Sequence, residues 1–275
     1  MAIKNILLLY SGDAASDAAL IAGIVMHKKY GAHLTALILP DPSTPSTRQK
    51  PWMPQDPQHP VVALEAGEIE DVHTRYGQLA GRHVSHDFLH SIRLSTAATL
   101  AIGDYARFFD VTLVGQFYNQ PALLPDADPV TLAKSSARPV LVIPAGFQQK
   151  AYTNTALVAW NSKPAVIRAV FDGMDILQQR DHVTLLSIAD RTLEQPPEVS
   201  MGETLQRHGV AHTHVELTRT GLISVEEVLL DYCKAQKPGL LIMGAESPSR
   251  FGTRNATGLT ERLIRKTPVP LLLST

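Results

Sequence analysis

Short apolar runs recur along the chain, each followed by a polar turn and then by apolar residues at helical spacing. KNILLLY opens the first such unit, and this pattern predicts a strand over 4–10 and a helix over 14–29. The same reading continues through strand 32–39, helix 62–82, strand 83–90, helix 95–108, strand 110–115, a short helix over 129–136 and strand 138–144. The remainder gives strand 155–160, helix 163–178, strand 182–189, helix 198–208, strand 211–218, helix 222–236, strand 238–244, helix 256–266 and strand 269–274. Runs such as LLIM and VLVI have no polar member, as expected of strands covered on both faces. Short strands alternating with helices require parallel crossovers, and hence an open α/β sheet.

The pattern is written twice. KNILLLYSGDAASDAALIAG (4–23) and NTALVAWNSKPAVIRAVFDG (154–173) share one layout, offset by 150 residues (154 − 4). DVTLVG (110–115) answers to PGLLIMG (238–244), and RPVLVIP (138–144) to TPVPLLLS (267–274). The expectation is two tandem doubly wound, Rossmann-like α/β domains, 1–148 and 152–275. Each would hold a mostly parallel five-stranded sheet with helices on both faces. One segment breaks the rhythm. PDPSTPSTRQKPWMPQDPQHP (40–60) carries seven prolines in 21 residues, which excludes regular structure. It reads as a surface excursion, with Trp52 and Met53 as candidate partner-binding or lid residues.

Composition narrows the function. Of 275 residues 44% are apolar, ample for packed cores, and the net charge of −1 offers no basic surface for nucleic acid or an anionic membrane. The single cysteine, Cys233, excludes an internal disulfide and fits a reducing compartment. The apolar run in MAIKNILLLYSGD is too short for a signal peptide or a membrane span, so the expected location is cytoplasmic.

Two repeats that each close on an apolar strand, a turn of small residues, a helix and a PVxLxxP-like strand resemble the universal stress protein family in its tandem form. VAWNSKPAVIRAV (158–170) is similar to the family's opening strand and helix, and GLLIMGAESPSRFGTRNATGLTERLIRKTPVPLLLS (239–274) to its closing unit. The resemblance implies a stress-response protein that acts through a small ligand or a protein partner, without catalysis. It also implies that the two closing strands pair within the chain as a pseudo-dimer, with homodimer association left open. Nucleotide-binding members carry Gly-x2-Gly-x9-Gly-Ser/Thr after the fourth strand, where glycines admit phosphate to backbone N–H groups at a helix N-terminus. Here Gly244 holds the first position, Ser247 replaces the second glycine, and Thr257–Gly258 reverses the last pair. The family's first-strand Asp is Ser11 in one half and Asn161 in the other; both also read as helix N-caps. The candidate nucleotide positions are therefore Ala159, Trp160, Asn161, Gly244, Ser247, Thr257 and Gly258, a degenerate set from which no cofactor is expected. The alternative is an ATP-binding, weakly hydrolysing switch in the second half, aided by Arg250 and Arg254. After Gly115 the first half keeps no second glycine, and Asp126 and Asp128 read as caps that would repel phosphate.

Other constellations carry less. YSGDAASD (10–17) resembles the phosphate loop of ATP pyrophosphatases but puts Asp13 where a glycine is needed. His83, His86, His90, His208, His212 and His214 lack any familiar ligand spacing and read mainly as strand histidines. There is no Gly-x-Ser-x-Gly elbow and no Gly-x-Gly-x-x-Gly after a strand, so neither a hydrolase triad nor a dinucleotide oxidoreductase has an anchor.

Overall fold

The computed structural model describes residues 3–39, 66–93, 101–116, 127–189, 200–218, 223–245 and 258–275. The Pro-rich segment 40–60, and with it Trp52 and Met53, lies outside the described residues, as do Asp126, Ser247, Arg250, Arg254 and Thr257.

In the first half β1 (Asn5–Tyr10), α1 (Ala14–Tyr30), β2 (His33–Ile38), α2 (Ala66–Ala80), β3 (Leu89–Arg93), α3 (Ile102–Ala106), β4 (Val111–Gly115), α4 (Pro129–Ser136) and β5 (Val140–Ile143) follow in order. The second half repeats this with β6 (Thr153–Trp160), α5 (Pro164–Asp172), α6 (Met174–Leu177), β7 (His182–Ala189), α7 (Met201–Arg207) and β8 (His212–Thr218), then α8 (Val225–Gln236), β9 (Pro238–Gly244), α9 (Leu259–Lys266) and β10 (Leu271–Ser274). Local chemistry sets many of the ends. The Asp13 carboxylate accepts from Ser16 N at 2.7 Å to start α1, and Gly31 ends it in the left-handed conformation. Asp128, followed by Pro129, starts α4, and Ser224 with Glu227 forms a capping box on α8.

The strands form one ten-stranded sheet in the order β3-β2-β1-β4-β5-β10-β9-β6-β7-β8. Every pairing is parallel except the central one, where β5 and β10 run antiparallel with Leu271 opposite Val142, Leu272 opposite Leu141 and Leu273 opposite Val140. All six of these side chains are buried, and they alternate between the two faces. Leu141 and Leu272 join the core beneath α1, α2, α5, α6 and α7. Val140, Val142, Leu271 and Leu273 join the core beneath α3, α4, α8 and α9. Each core thus runs unbroken across the seam between the halves.

Three readings of the sequence shift. The third strand starts at Leu89, not near 83, because residues 81–84 form a turn and His86–Phe88 a 3-10 turn. The helix after β6 is broken at Gly173, where a Cβ would stand 2.9 Å from both Ile242 Cδ1 and Leu272 Cδ2. The caps of α1 and α5 are Asp13 and Lys163, two residues beyond Ser11 and Asn161.

Exposing the apolar β5 edge leaves unpaired N–H and C=O groups beside a row of Val, Leu and Ile. Truncation to residues 1–148 is therefore expected to yield dimers or aggregates in analytical ultracentrifugation. A stable monomer would show that the seam is dispensable.

Candidate functional site

In an open parallel sheet, ligands bind at the carboxyl ends of the strands where the winding reverses. Here that point falls between β1 and β4 in the first half and between β6 and β9 in the second. At both points a glycine ends the fourth strand. A Cβ on Gly115 would lie 2.4 Å from the Ala15 carbonyl, and a Cβ on Gly244 would lie 2.6 Å from Val166 N. Both glycines therefore let the first turn of α1 or α5 close onto the neighbouring strand. Gly244, picked out as a phosphate position, has a packing reason to be glycine that needs no ligand.

Beyond these glycines the halves diverge. In the first, Asp13 fills the N-terminus of α1 with its own carboxylate, which also accepts from Ser11 Oγ at 3.0 Å. Val72 and Arg75 of α2 lie against Gly12, whose backbone is left-handed. Arg75 pairs with Asp17, which accepts from Tyr10 Oη at 2.7 Å. Burial and the Asp17 carboxylate push the Tyr10 phenol up, so it stays a donor. An anion entering this crevice would meet Asp13 and a helix that is already capped.

The second half differs among its described residues. Asn161 is exposed and its Oδ1 accepts from Lys163 N at 3.1 Å, an Asx turn rather than a helix cap. Ser162 takes the left-handed conformation, and α5 begins on Lys163 and Pro164 with no side-chain cap. Trp160 is buried in the core beside α5, where the first half has Tyr10. Ala159 packs part-buried against the opposite core. Gly258 is the N-cap of α9, again with no side-chain cap and with open space on the side a Cβ would occupy. The structure thus brings Asn161, Gly244 and Gly258 to the strand-end side of the sheet and turns Trp160 inward.

Two features hold α9 that the sequence did not single out. Gln116, directly after β4, is buried and its Nε2 donates to Ile264 O at 2.8 Å and to Thr267 O at 3.2 Å, stapling the end of α9 from the other half. Glu226 of α8 is buried and pairs with Arg262 and, at 2.8 Å, with Lys266. Burial alone would raise the Glu226 carboxyl, but the hydrogen bonds and charges of Lys266 and Arg262 outweigh it and hold it below its ordinary range. Cys233 is buried and its thiol is pushed up to about 12 by burial, which makes it inert.

The histidines do not converge. His90 stacks on His33, the His214 ring lies 2.8 Å from Ser187 Oγ, and the His212 ring contacts Val210 O. Among the described residues no group of three or more His, Cys, Asp or Glu could hold a metal, and no helix is long and apolar enough to cross a membrane.

The fold has solved counterparts. A universal stress protein from Archaeoglobus fulgidus DSM 4304 superposes with a TM-score of 0.66 at 14% identity, covering 98% of this chain and 96% of that one. A putative universal stress protein from Pseudomonas aeruginosa UCBPP-PA14 gives 0.57 at 14% identity over 99% and 93%. A functionally unknown protein from Pseudomonas aeruginosa PAO1 gives 0.56 at 14% over 99% and 92%. The sequence matches no family model and no curated protein. The likeness is therefore one of fold, and it extends over the whole length.

Two predictions follow from this geometry. Gly244→Ala forces a methyl against the α5 backbone and is expected to cost at least about 2 kcal/mol in urea unfolding; a change within about 0.5 kcal/mol would refute the packing role. Glu226→Gln is expected to cost about 1 to 2 kcal/mol at pH 7, because the two cations it leaves are part-exposed and can be hydrated. The folded Glu226 pKa lies below the ordinary 4.5, so this stabilisation is fully present above that value and is lost as the pH falls through the folded pKa. Wild type and variant should converge in stability in acid; a gap that persists unchanged at pH 3 would contradict the ion pairing.

Proposed function

We propose that this chain, which has the fold of the tandem universal stress proteins, is a non-catalytic stress-response protein that works by binding a small ligand or a protein partner through two domain-like halves, 1–148 and 152–275. The observation that carries this reading is the state of the two strand-end crevices. One is occupied by Asp13 on the helix N-terminus. The other presents exposed Asn161 where nucleotide-binding relatives carry Asp, and Ser247 and Thr257 stand in sequence where they carry glycine. A triphosphate needs close approach to backbone N–H groups, which is the physical reason for glycine at such positions. The formal charge of −1 likewise supports a ligand or protein partner over nucleic acid.

One observation favours the alternative of an ATP-dependent switch. The N-termini of α5 and α9 both lack a side-chain cap, and Lys163 starts α5. Helix N-termini of this kind attract anions. Titration calorimetry with ATP and magnesium separates the two. The expected result is no measurable heat of binding for wild type and a gain in the variant Ser247→Gly with Thr257→Gly and Gly258→Ser. Wild-type binding at micromolar affinity or tighter would establish the switch instead.

A further inference from the structure

A second cavity lies away from both crevices, where the two halves meet on the α1 side of the sheet. It has a volume of about 250 Å³ and is walled by Val25 and Met26 of α1, Leu141 of β5, Ile176 of α6, Leu240 of β9 and Phe147 of the segment that joins the halves. Phe147 stacks on Tyr152 at 5.7 Å, so the connecting segment forms one side. Each half supplies part of the wall, and neither encloses it alone. The positions are also symmetry-related: Tyr30 and Arg180 both line it, and they are separated by 150 residues (180 − 30), the offset of the repeat.

Lys29, which is exposed and holds its Nζ 5.8 Å from the centre of the Tyr30 ring, and half-buried Arg180 both line this space. Arg180 Nη1 makes one long contact, 3.4 Å to Asn154 Oδ1, while its Nε is fully buried and has no partner. Neither cation forms an ion pair among the described residues. The nearby carboxylates are Asp181, which accepts from Asn154 Nδ2 at 2.9 Å, and Asp175, close to Tyr30. Burial lowers the pKa of Arg180, and burial together with the Arg180 charge lowers that of Lys29. Two cations that line one cavity, with no carboxylate paired to either among the described residues, form an arrangement that a ligand anion would relieve.

We propose that the cleft between the halves binds a compact monoanion with an apolar body, a small carboxylic acid whose carboxylate lies between Arg180 and Lys29 and whose hydrocarbon part rests on Val25, Leu141 and Leu240. The volume falls below the roughly 300–1,000 Å³ of drug-sized sites, which favours a small acid of about ten heavy atoms. The planar guanidinium can present its Nη donors to a carboxylate. This goes beyond the reading of the strand-end crevices.

The test is titration calorimetry of the full chain with octanoate, alongside octanol and octylamine of the same length. Octanoate is expected to bind one site with Kd below about 1 mM, at least tenfold more tightly than either analogue. Arg180→Gln should weaken it at least tenfold and Lys29→Gln about threefold, while Val25→Trp, which fills the cleft, should abolish it. Circular dichroism establishes which variants fold; should Arg180→Gln not fold, Lys29→Gln and Val25→Trp decide. Absence of saturable octanoate binding, equal binding of octanol, or binding unchanged in Val25→Trp would each overturn the proposal. None of these outcomes bears on the nucleotide reading, which ATP titration addresses separately.

Discussion

The antiparallel pairing of β5 with β10 is the constraint on which the rest of the molecule depends. Each strand is apolar on both faces and would be an exposed edge in an isolated half. Joining them removes both edges, makes each core continuous across the chain, and moves the free edges of the sheet out to β3 and β8. Those outer strands can tolerate exposure. β3 carries His90 and Arg93, and β8 carries His212, His214 and Glu216, polar side chains that discourage pairing with another chain. Of the six histidines weighed for a metal site, His90, His212 and His214 lie on these edge strands, whereas His83 and His86 fall in the turns before β3 and His208 ends α7.

The two crevices differ within one framework. Gly115 and Gly244 are equivalent and serve the same close packing of helix on strand. Around them the first half has its own carboxylate on α1 and α2 leaning over the loop, whereas the second half leaves α5 and α9 without side-chain caps. Gln116 links the two, since the residue after the first-half glycine holds the end of the second-half helix that begins at Gly258. A buried amide thus joins the end of the first-half strand β4 to the C-terminal end of α9.

Much of the fold was legible because the central strands are covered on both faces and therefore carry unmixed apolar runs, as in LLIM and VLVI. The third strand was placed too early because an edge strand with one wet face has no such run: HVSHDFLHSIR contains turn, 3-10 and strand residues of similar polarity. The break at Gly173 was invisible since its cause is contact with Ile242 and Leu272, far away in sequence. At the site, Gly244 was recognisable but its purpose was not, because a glycine that admits phosphate and one that admits a helix look alike in a sequence. Asn161 was read as a cap from residue type alone, while the structure gives that place to Lys163 and makes Asn161 an Asx turn. Gln116 left no local signal, its partners lying 148 and 151 residues away. The cleft holding Arg180 could not be foreseen from either repeat alone, since it exists only where the two meet.

A sheet continuous through this seam makes the two halves one cooperative unit. Native-state hydrogen exchange of the amides in Val140–Ile143 and Leu271–Ser274 tests it most directly. Both strands are expected to exchange only through global unfolding, with the same free energy and the same dependence on denaturant. Exchange of either strand through a smaller local opening, while the rest of its half remains protected, would contradict it.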